Sequence, residues 1–176
     1  MQPSLVRGPR HGYLSCMIAA CAHHRHDQAG LKGRALSAEL NAAEARCKLA
    51  AERMTAPRRR VLELLLKAGQ PVKAYDLIAA FGADGAPAKP PTVYRALSFL
   101  ERQGFVHRLE SLNAYLACRQ GPGAHTAAFL ICDCCGATEE VEPPGADRLI
   151  ELAGEAGYRI DMVTVEARGR CADCAA

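Results

Sequence analysis

From Leu36 to Gly104 apolar residues recur every three to four positions, the spacing of one helical face, and interruptions in that recurrence mark out four helices. The first is predicted over SAELNAAEARCKLAAER, starting at a Ser37 cap and setting Leu40, Ala43, Cys47 and Ala50 on one face. Cys47 then reads as a small buried residue of that face, since it has no partner at metal-ligand spacing. The second helix begins at Thr55, carries Pro57 in its first turn, where a missing N–H costs little, and closes at Gly69. KAYDLIAAFG is a short third helix ending at Gly82, followed by the Gly- and Pro-rich loop GADGAPAKP. PTVYRALSFLERQG is the fourth, with Val93, Leu97 and Leu100 on one side and Gly104 as its stop.

Beyond Gly104 the pattern changes to alternation. FVHRLESLNAYLAC holds two short alternating runs about a turn at Ser111–Asn113, a β-hairpin. Helices followed by a hairpin make a winged helix-turn-helix, whose last helix enters the DNA major groove while the wing touches the backbone. RQGPGA reads as a hinge, and the remainder as strand, turn, strand, helix, strand. The expected fold is therefore α+β: an extension over residues 1–35, a winged helix-turn-helix domain over 36–118, a hinge at 119–124 and a small α/β dimerisation domain over 125–176. Its strands, with Leu149, Ile150 and Leu152, are too few to close a separate core, which predicts pairing with a second copy.

Charge sharpens this division. The formal net charge of the 176 residues is only +3, but residues 46–110 carry 12 Lys/Arg against 6 Asp/Glu, whereas residues 111–176 carry 5 against 10. A basic half before an acidic half fits a nucleic-acid-binding module joined to a sensing or assembly module. The first turns of the fourth helix offer Thr92, Tyr94 and Arg95, and an arginine can donate two bonds to guanine O6 and N7. Arg58, Arg59, Arg60, Lys73 and Lys89 are candidates for phosphates. The candidate DNA-contacting set is Arg58, Tyr75, Lys89, Thr92, Tyr94 and Arg95.

No apolar run reaches the roughly 18 residues of a membrane span. Nine cysteines, with CxxC spacing twice, point to metal thiolates in a reducing compartment rather than a secreted disulfide framework. GYLSCMIAACAHHRH near the N-terminus holds a short apolar stretch, and IAAC resembles a lipoprotein cleavage box, but Ser15 and Cys16 interrupt the stretch. It is read as part of an extension, in which His11, His23, His24 and His26 could bind metal weakly.

Zinc prefers four ligands in a tetrahedron, and a CxxC turn supplies two thiolates from one tight loop. Cys132 with Cys135, and Cys171 with Cys174, have that spacing; Cys134 is left over, and a redox disulfide pair is the rival use of these thiols. A zinc deaminase is excluded, because it needs an H-x-E turn and a proline before its CxxC, whereas Ile131 precedes Cys132.

Taken in order, AYDLI, AKPPTVYRAL, QGFVH, LICDCCGATEE and CADC strongly resemble the ferric uptake regulator family, and within it the zinc uptake regulator branch; the resemblance runs from about Leu36 to Cys174. It implies a cytoplasmic, homodimeric repressor without catalytic activity, whose winged helix binds a palindromic operator when zinc is bound. It also implies two zinc ions per monomer. One is structural, at Cys132, Cys135, Cys171 and Cys174; the other is regulatory, at His107, Cys118, His125 and Glu140, within the stretches FVH, YLAC, AHT and CGATEE. One thiolate, two imidazoles and a carboxylate suit zinc better than iron. Glu139 competes with Glu140, and the two point oppositely along a strand, so only one can enter the site. The chain lacks the His-rich run of iron-sensing relatives and has TAPR where many relatives place proline directly after the threonine. An iron-responsive repressor and a thiol-based redox or peroxide sensor of the same fold are the alternatives.

Overall fold

The computed structural model describes residues 30–82, 89–119, 126–142, 145–160 and 163–175. Four helices come first: α1 (Gly33–Leu49), α2 (Ala56–Ala68), α3 (Ala74–Phe81) and α4 (Pro90–Arg102). Their buried stripes interlock in one core of Leu36, Leu40, Ala43 and Cys47 from α1, Val61, Leu62 and Leu65 from α2, Leu77 from α3, and Val93, Ala96, Leu97, Phe99 and Leu100 from α4. Cys47 is 1% exposed within this core.

The ends of α2 follow from its sequence. Thr55 is its extended N-cap with proline in the first turn, and Gly69 adopts the left-handed conformation (φ 65°) while its N–H returns to the Leu65 carbonyl at 3.1 Å. α1 departs from expectation. It starts at Gly33, inside the stretch assigned to the extension, and Ser37 is no cap: its hydroxyl donates back to the Gly33 carbonyl at 3.2 Å, a bond that a helix interior tolerates. Ala50 is the C-cap, exposed rather than on the buried face.

The hairpin is β2 (Val106–Leu109) and β3 (Ala114–Ala117), joined by a 3-10 turn at Glu110–Leu112 and by Asn113, at φ 47°. A two-residue strand not foreseen from the sequence, β1 (Val72–Lys73), pairs with the other side of β3, giving the order β1-β3-β2. The second sheet comprises β4 (Ala127–Cys132), β5 (Thr138–Val141) and β6 (Thr164–Gly169) in the order β5-β4-β6; β5 runs antiparallel and β6 parallel to β4. Helix α5 (Ala146–Glu155) lies between β5 and β6 in sequence, and a one-turn α6 (Ala172–Ala175) ends the chain.

All four residues of β3 are buried because the hairpin lies between two cores. Val106, Tyr115 and Ala117 face the helices, while Leu109 and Leu116 face the second sheet and pack with Ala127, Phe129 and Ile131. The second sheet thus borrows the wing to close one face. Its other face is partly open among the described residues: Leu130 and Val165 are 48% and 43% exposed. No described side chain of α5 is buried, and Leu149, Ile150 and Leu152 are 44–50% exposed.

Candidate functional site

Two clusters of metal-ligating side chains assemble among the described residues. The first gathers Cys132 and Cys135 from the turn after β4 with Cys171 and Cys174 from the turn after β6, their sulfurs all within 4.8 Å of one another. Parallel pairing of β4 with β6, in register up to Cys132 opposite Gly169, delivers both turns to the same end of the sheet. The Asp133 N–H bonds the Gly169 carbonyl at 2.8 Å, and the Arg168 guanidinium grips the Asp133 carboxylate, tying one turn to the strand that leads into the other.

Cys135 Sγ and Cys171 Sγ are 3.8 Å apart. Four Zn–S bonds of about 2.3 Å in a tetrahedron place sulfurs about 3.8 Å apart, so this pair already stands at the spacing zinc requires. Burial raises the Cys132 thiol, but backbone N–H groups of Cys135, Cys171 and Cys134 and the Cys135 thiol outweigh it and bring its pKa down to about 6. The Cys171 N–H is 3.3 Å from Cys132 Sγ. Burial raises Cys135, and burial together with the neighbouring thiols raises Cys174. Without a metal, one sulfur of the group ionises readily while others hold their protons; a divalent cation is what allows closely packed thiolates to coexist.

The second cluster joins His107 of β2, Cys118 just after β3, and Glu140 of β5, with ligand atoms again within 4.8 Å. The side chains of His107 and Glu140 are only 5% and 2% exposed, and His107 Nε2 is 3.3 Å from Glu140 Oε1. The Cys118 thiol donates to Glu140 Oε1 at 3.9 Å and the Arg119 N–H to Glu140 Oε2 at 3.0 Å. Phe129 packs against the imidazole, ring centres 5.1 Å apart. A buried carboxylate is costly unless its charge is met. Here a thiol, an imidazole and an N–H meet it.

Register separates the two candidate glutamates. Glu140 lies opposite Phe129 and shares its buried face, whereas Glu139 lies opposite Leu130 on the outer face and is exposed. His125, the other expected member of this cluster, lies outside the described residues, as do the expected hinge from 120 onward and the histidines at 11, 23, 24 and 26. Cys134, half-buried in the first turn, belongs to neither cluster. Arg119 and Phe129 were not foreseen as contributors. Alternation in AAFLIC puts Phe129 on one face with Ala127 and Ile131, but nothing in that pattern says what the face meets.

The predicted DNA-contacting residues divide by environment. Tyr75 and Tyr94 are 78% and 49% exposed. Lys89, the N-cap of α4, and Arg95 are also exposed, while Thr92 is half-buried in the first turn with its N–H on the Lys89 carbonyl at 2.8 Å. On the opposite side of α4, Val93, Ala96 and Leu97 anchor the helix in the core. Arg58 is engaged within the protein: its guanidinium lies 3.4 Å from the centre of the Phe99 ring and also bonds the Arg53 carbonyl. Arg59 reaches Asn41 at 3.4 Å and Arg60 reaches Glu63 at 3.2 Å, whereas Lys73 is exposed.

Residues 50–168 match the ferric uptake regulator family. The chain is 42% identical over 124 residues to the zinc uptake regulation protein of Escherichia coli (strain K12), an alignment covering 69% of this chain and 72% of that protein. Among solved structures it resembles a zinc uptake regulator complexed with zinc and DNA, with a TM-score of 0.72 and 39% identity over 82% of this chain and 97% of the other. It also resembles holo XcZur, with a TM-score of 0.68 and 41% identity over 78% and 97% of the two chains. Winged hairpin, cysteine turns and sequence agree over most of the chain's length, and the chain belongs to the ferric uptake regulator family.

Proposed function

We propose that this protein is a zinc-responsive transcriptional repressor that binds operator DNA as a homodimer and controls genes of zinc uptake. The observation that carries the reading is the convergence of His107 and Cys118, from the wing, with Glu140, from the second sheet, on one buried point. Cys132, Cys135, Cys171 and Cys174 would hold one zinc ion per protomer; His107, Cys118 and Glu140, with His125 as fourth donor, would hold another. Bound zinc supplies a Lewis-acidic centre that accepts thiolate, imidazole and carboxylate together, a donor set softer than ferrous iron favours.

The chain's own residues carry the rest. The wing continues directly from α4, so whatever orients His107 and Cys118 against Glu140 also orients the groove-reading face of Thr92, Tyr94 and Arg95. Two reading heads must fit two half-sites at once, and conformers that do so are selected when His107 and Cys118 are held against Glu140. Coupling of about 1–3 kcal/mol per binding event is typical of such switches. The relatives named as zinc uptake regulators, one of them seen with zinc and DNA, support this assignment.

Dimerisation is supported by the partly open face. Leu130, Val165, Leu149, Ile150 and Leu152 stand about half exposed among the described residues, and since full burial of a side chain of this size is worth about 1.5–3 kcal/mol, covering the rest of each would contribute about half of that. A second copy would complete the layer that α5 and the sheet leave open. A two-fold dimer would read a palindrome, and the likeness to zinc uptake regulators supports a cytoplasmic repressor; no helix among the described residues is long and apolar enough to cross a membrane.

The test is a selection of duplex DNA from a random pool, followed by binding measurements at buffered free zinc and at buffered ferrous iron. A palindromic consensus bound only by a dimer, with affinity rising in zinc and not in iron, is expected. Affinity that follows iron, or that follows oxidant at constant zinc, would assign the fold to one of the alternative regulators.

A further inference from the structure

Across the second sheet, on the face that meets the wing, three residues stand in one row: Glu140 on β5, Phe129 on β4 and Glu166 on β6, each paired in register with Phe129. Glu140 belongs to the ligand cluster at one edge, and Phe129 packs against His107 in the middle. Glu166 stands at the opposite edge, and no role described above uses it. Its two carboxylate oxygens accept the N–H groups of Glu110, at 2.7 Å, and Ser111, at 3.0 Å.

Those donors open the 3-10 turn at the tip of the wing. The first N–H groups of a helical turn have no partner within it and turn to water or to an outside acceptor, of which an ionised carboxylate forms the stronger kind of bond. The acceptor comes from more than fifty residues away in sequence, so this is a tertiary contact and not a local cap. Glu110's own carboxylate is turned to Arg108, 3.1 Å away, which keeps a second negative charge occupied beside the contact.

We propose that Glu166 is a positioning residue: a clasp that needs no metal and pins the tip of the wing to the dimerisation sheet, giving the reading head a pivot. Glu140 and Glu166 are separated by two strand spacings, about 9–10 Å. One fixed point leaves the wing free to rotate about it. A second point across the sheet leaves only rotation about the line joining the two, which the packing of Leu109 and Leu116 against Ala127 and Ile131 opposes, so ligation at the Glu140 edge sets an orientation rather than merely tethering the head. The proposal rests on the repressor reading above, and it adds a residue on which the zinc response depends without its touching zinc or DNA.

The experiment compares wild-type protein with Glu166→Ala and Glu166→Gln, all zinc-loaded. Amide hydrogen exchange at Glu110 and Ser111 should quicken about tenfold or more in Glu166→Ala, the loss expected of bonds to a charged acceptor, and less in Glu166→Gln, which retains one acceptor oxygen. Affinity for the duplex selected by the wild-type protein should fall about tenfold in Glu166→Ala at saturating zinc, with partial rescue in Glu166→Gln. Zinc content and the dimer should be unchanged. Unchanged exchange at both amides overturns the clasp. Faster exchange with undiminished affinity overturns the positioning role. Loss of the dimer or of cysteine-bound zinc in both variants overturns it too, since Glu166 would then be holding the sheet together. If wild-type protein shows no zinc-dependent DNA binding, the repressor reading fails, while the exchange data still decide whether the clasp exists.

Discussion

The two ligand clusters use similar chemistry on different architecture. Cys132, Cys135, Cys171 and Cys174 sit in two turns at one end of one sheet, joined by a ladder that runs to the turn itself. His107, Cys118 and Glu140 come from both sheets, and no strand ladder among the described residues joins those sheets: packing about Phe129, with hydrogen bonds from side chain and backbone, brings the three together. A metal in the first cluster closes a structure whose strands are already paired, whereas the second cannot fill without fixing the wing against the second sheet. On the proposed reading, thiolate ligands would serve stability in one place and communication in the other, and the elements they join would decide which.

Breaking the first cluster should have the largest effect. Metal binding by thiolate turns is linked to folding, with apparent binding free energies on the order of 10 kcal/mol or more in small zinc domains. Cys132→Ser or Cys171→Ser is expected to lose one zinc per protomer, the fold of the second sheet and the dimer, read by metal analysis, circular dichroism and sedimentation. A stable dimer with full zinc in either variant breaks the comparison at its stronger end.

Breaking the second cluster should cost coupling and not fold. Cys118→Ala is expected to keep the dimer and one zinc per protomer, with an unfolding midpoint close to wild type, and to lose the zinc-dependent gain in operator affinity of about 1–3 kcal/mol. A finer test uses neighbouring glutamates. Glu140→Gln should weaken the second zinc site in a competition titration, whereas Glu139→Gln, on the outer face of the same strand, should leave it within experimental error; equal losses would mean that β5 is held in another register. The smallest effect belongs to Cys134→Ser, expected to alter neither zinc content nor regulation. Should Cys134→Ser abolish the zinc response, the thiols would have to be divided between the sites differently.

The helical half was legible because its boundaries are written in backbone chemistry: Thr55 and Pro57 open α2, Gly69 closes it in the left-handed conformation, and the i, i+4, i+7 apolar positions of α4, Val93, Leu97 and Leu100, are buried together with Ala96 and Phe99. The start of α1 is not legible, because Ser37, a good cap in isolation, bonds backward to Gly33 within a longer helix. β1 and α6 are too short to show a period. The two clusters differ in legibility for the reason they differ in architecture. CxxC spacing announces a local turn. His107, Cys118 and Glu140 are scattered among other residue types, and family resemblance pointed to them where spacing did not. Glu166 carries no signature at all, because its partners are backbone N–H groups that any residue possesses.

The central claim is that filling the cluster shared by the wing and the second sheet, and not the four-cysteine cluster, switches on DNA binding. It is tested most directly by measuring operator affinity and zinc content on the same samples across buffered free-zinc concentrations. The account predicts weak binding while each protomer holds one zinc, then a rise of about tenfold to a hundredfold as the second is taken up. Full operator affinity at one zinc per protomer, unchanged when the second ion binds, would contradict it.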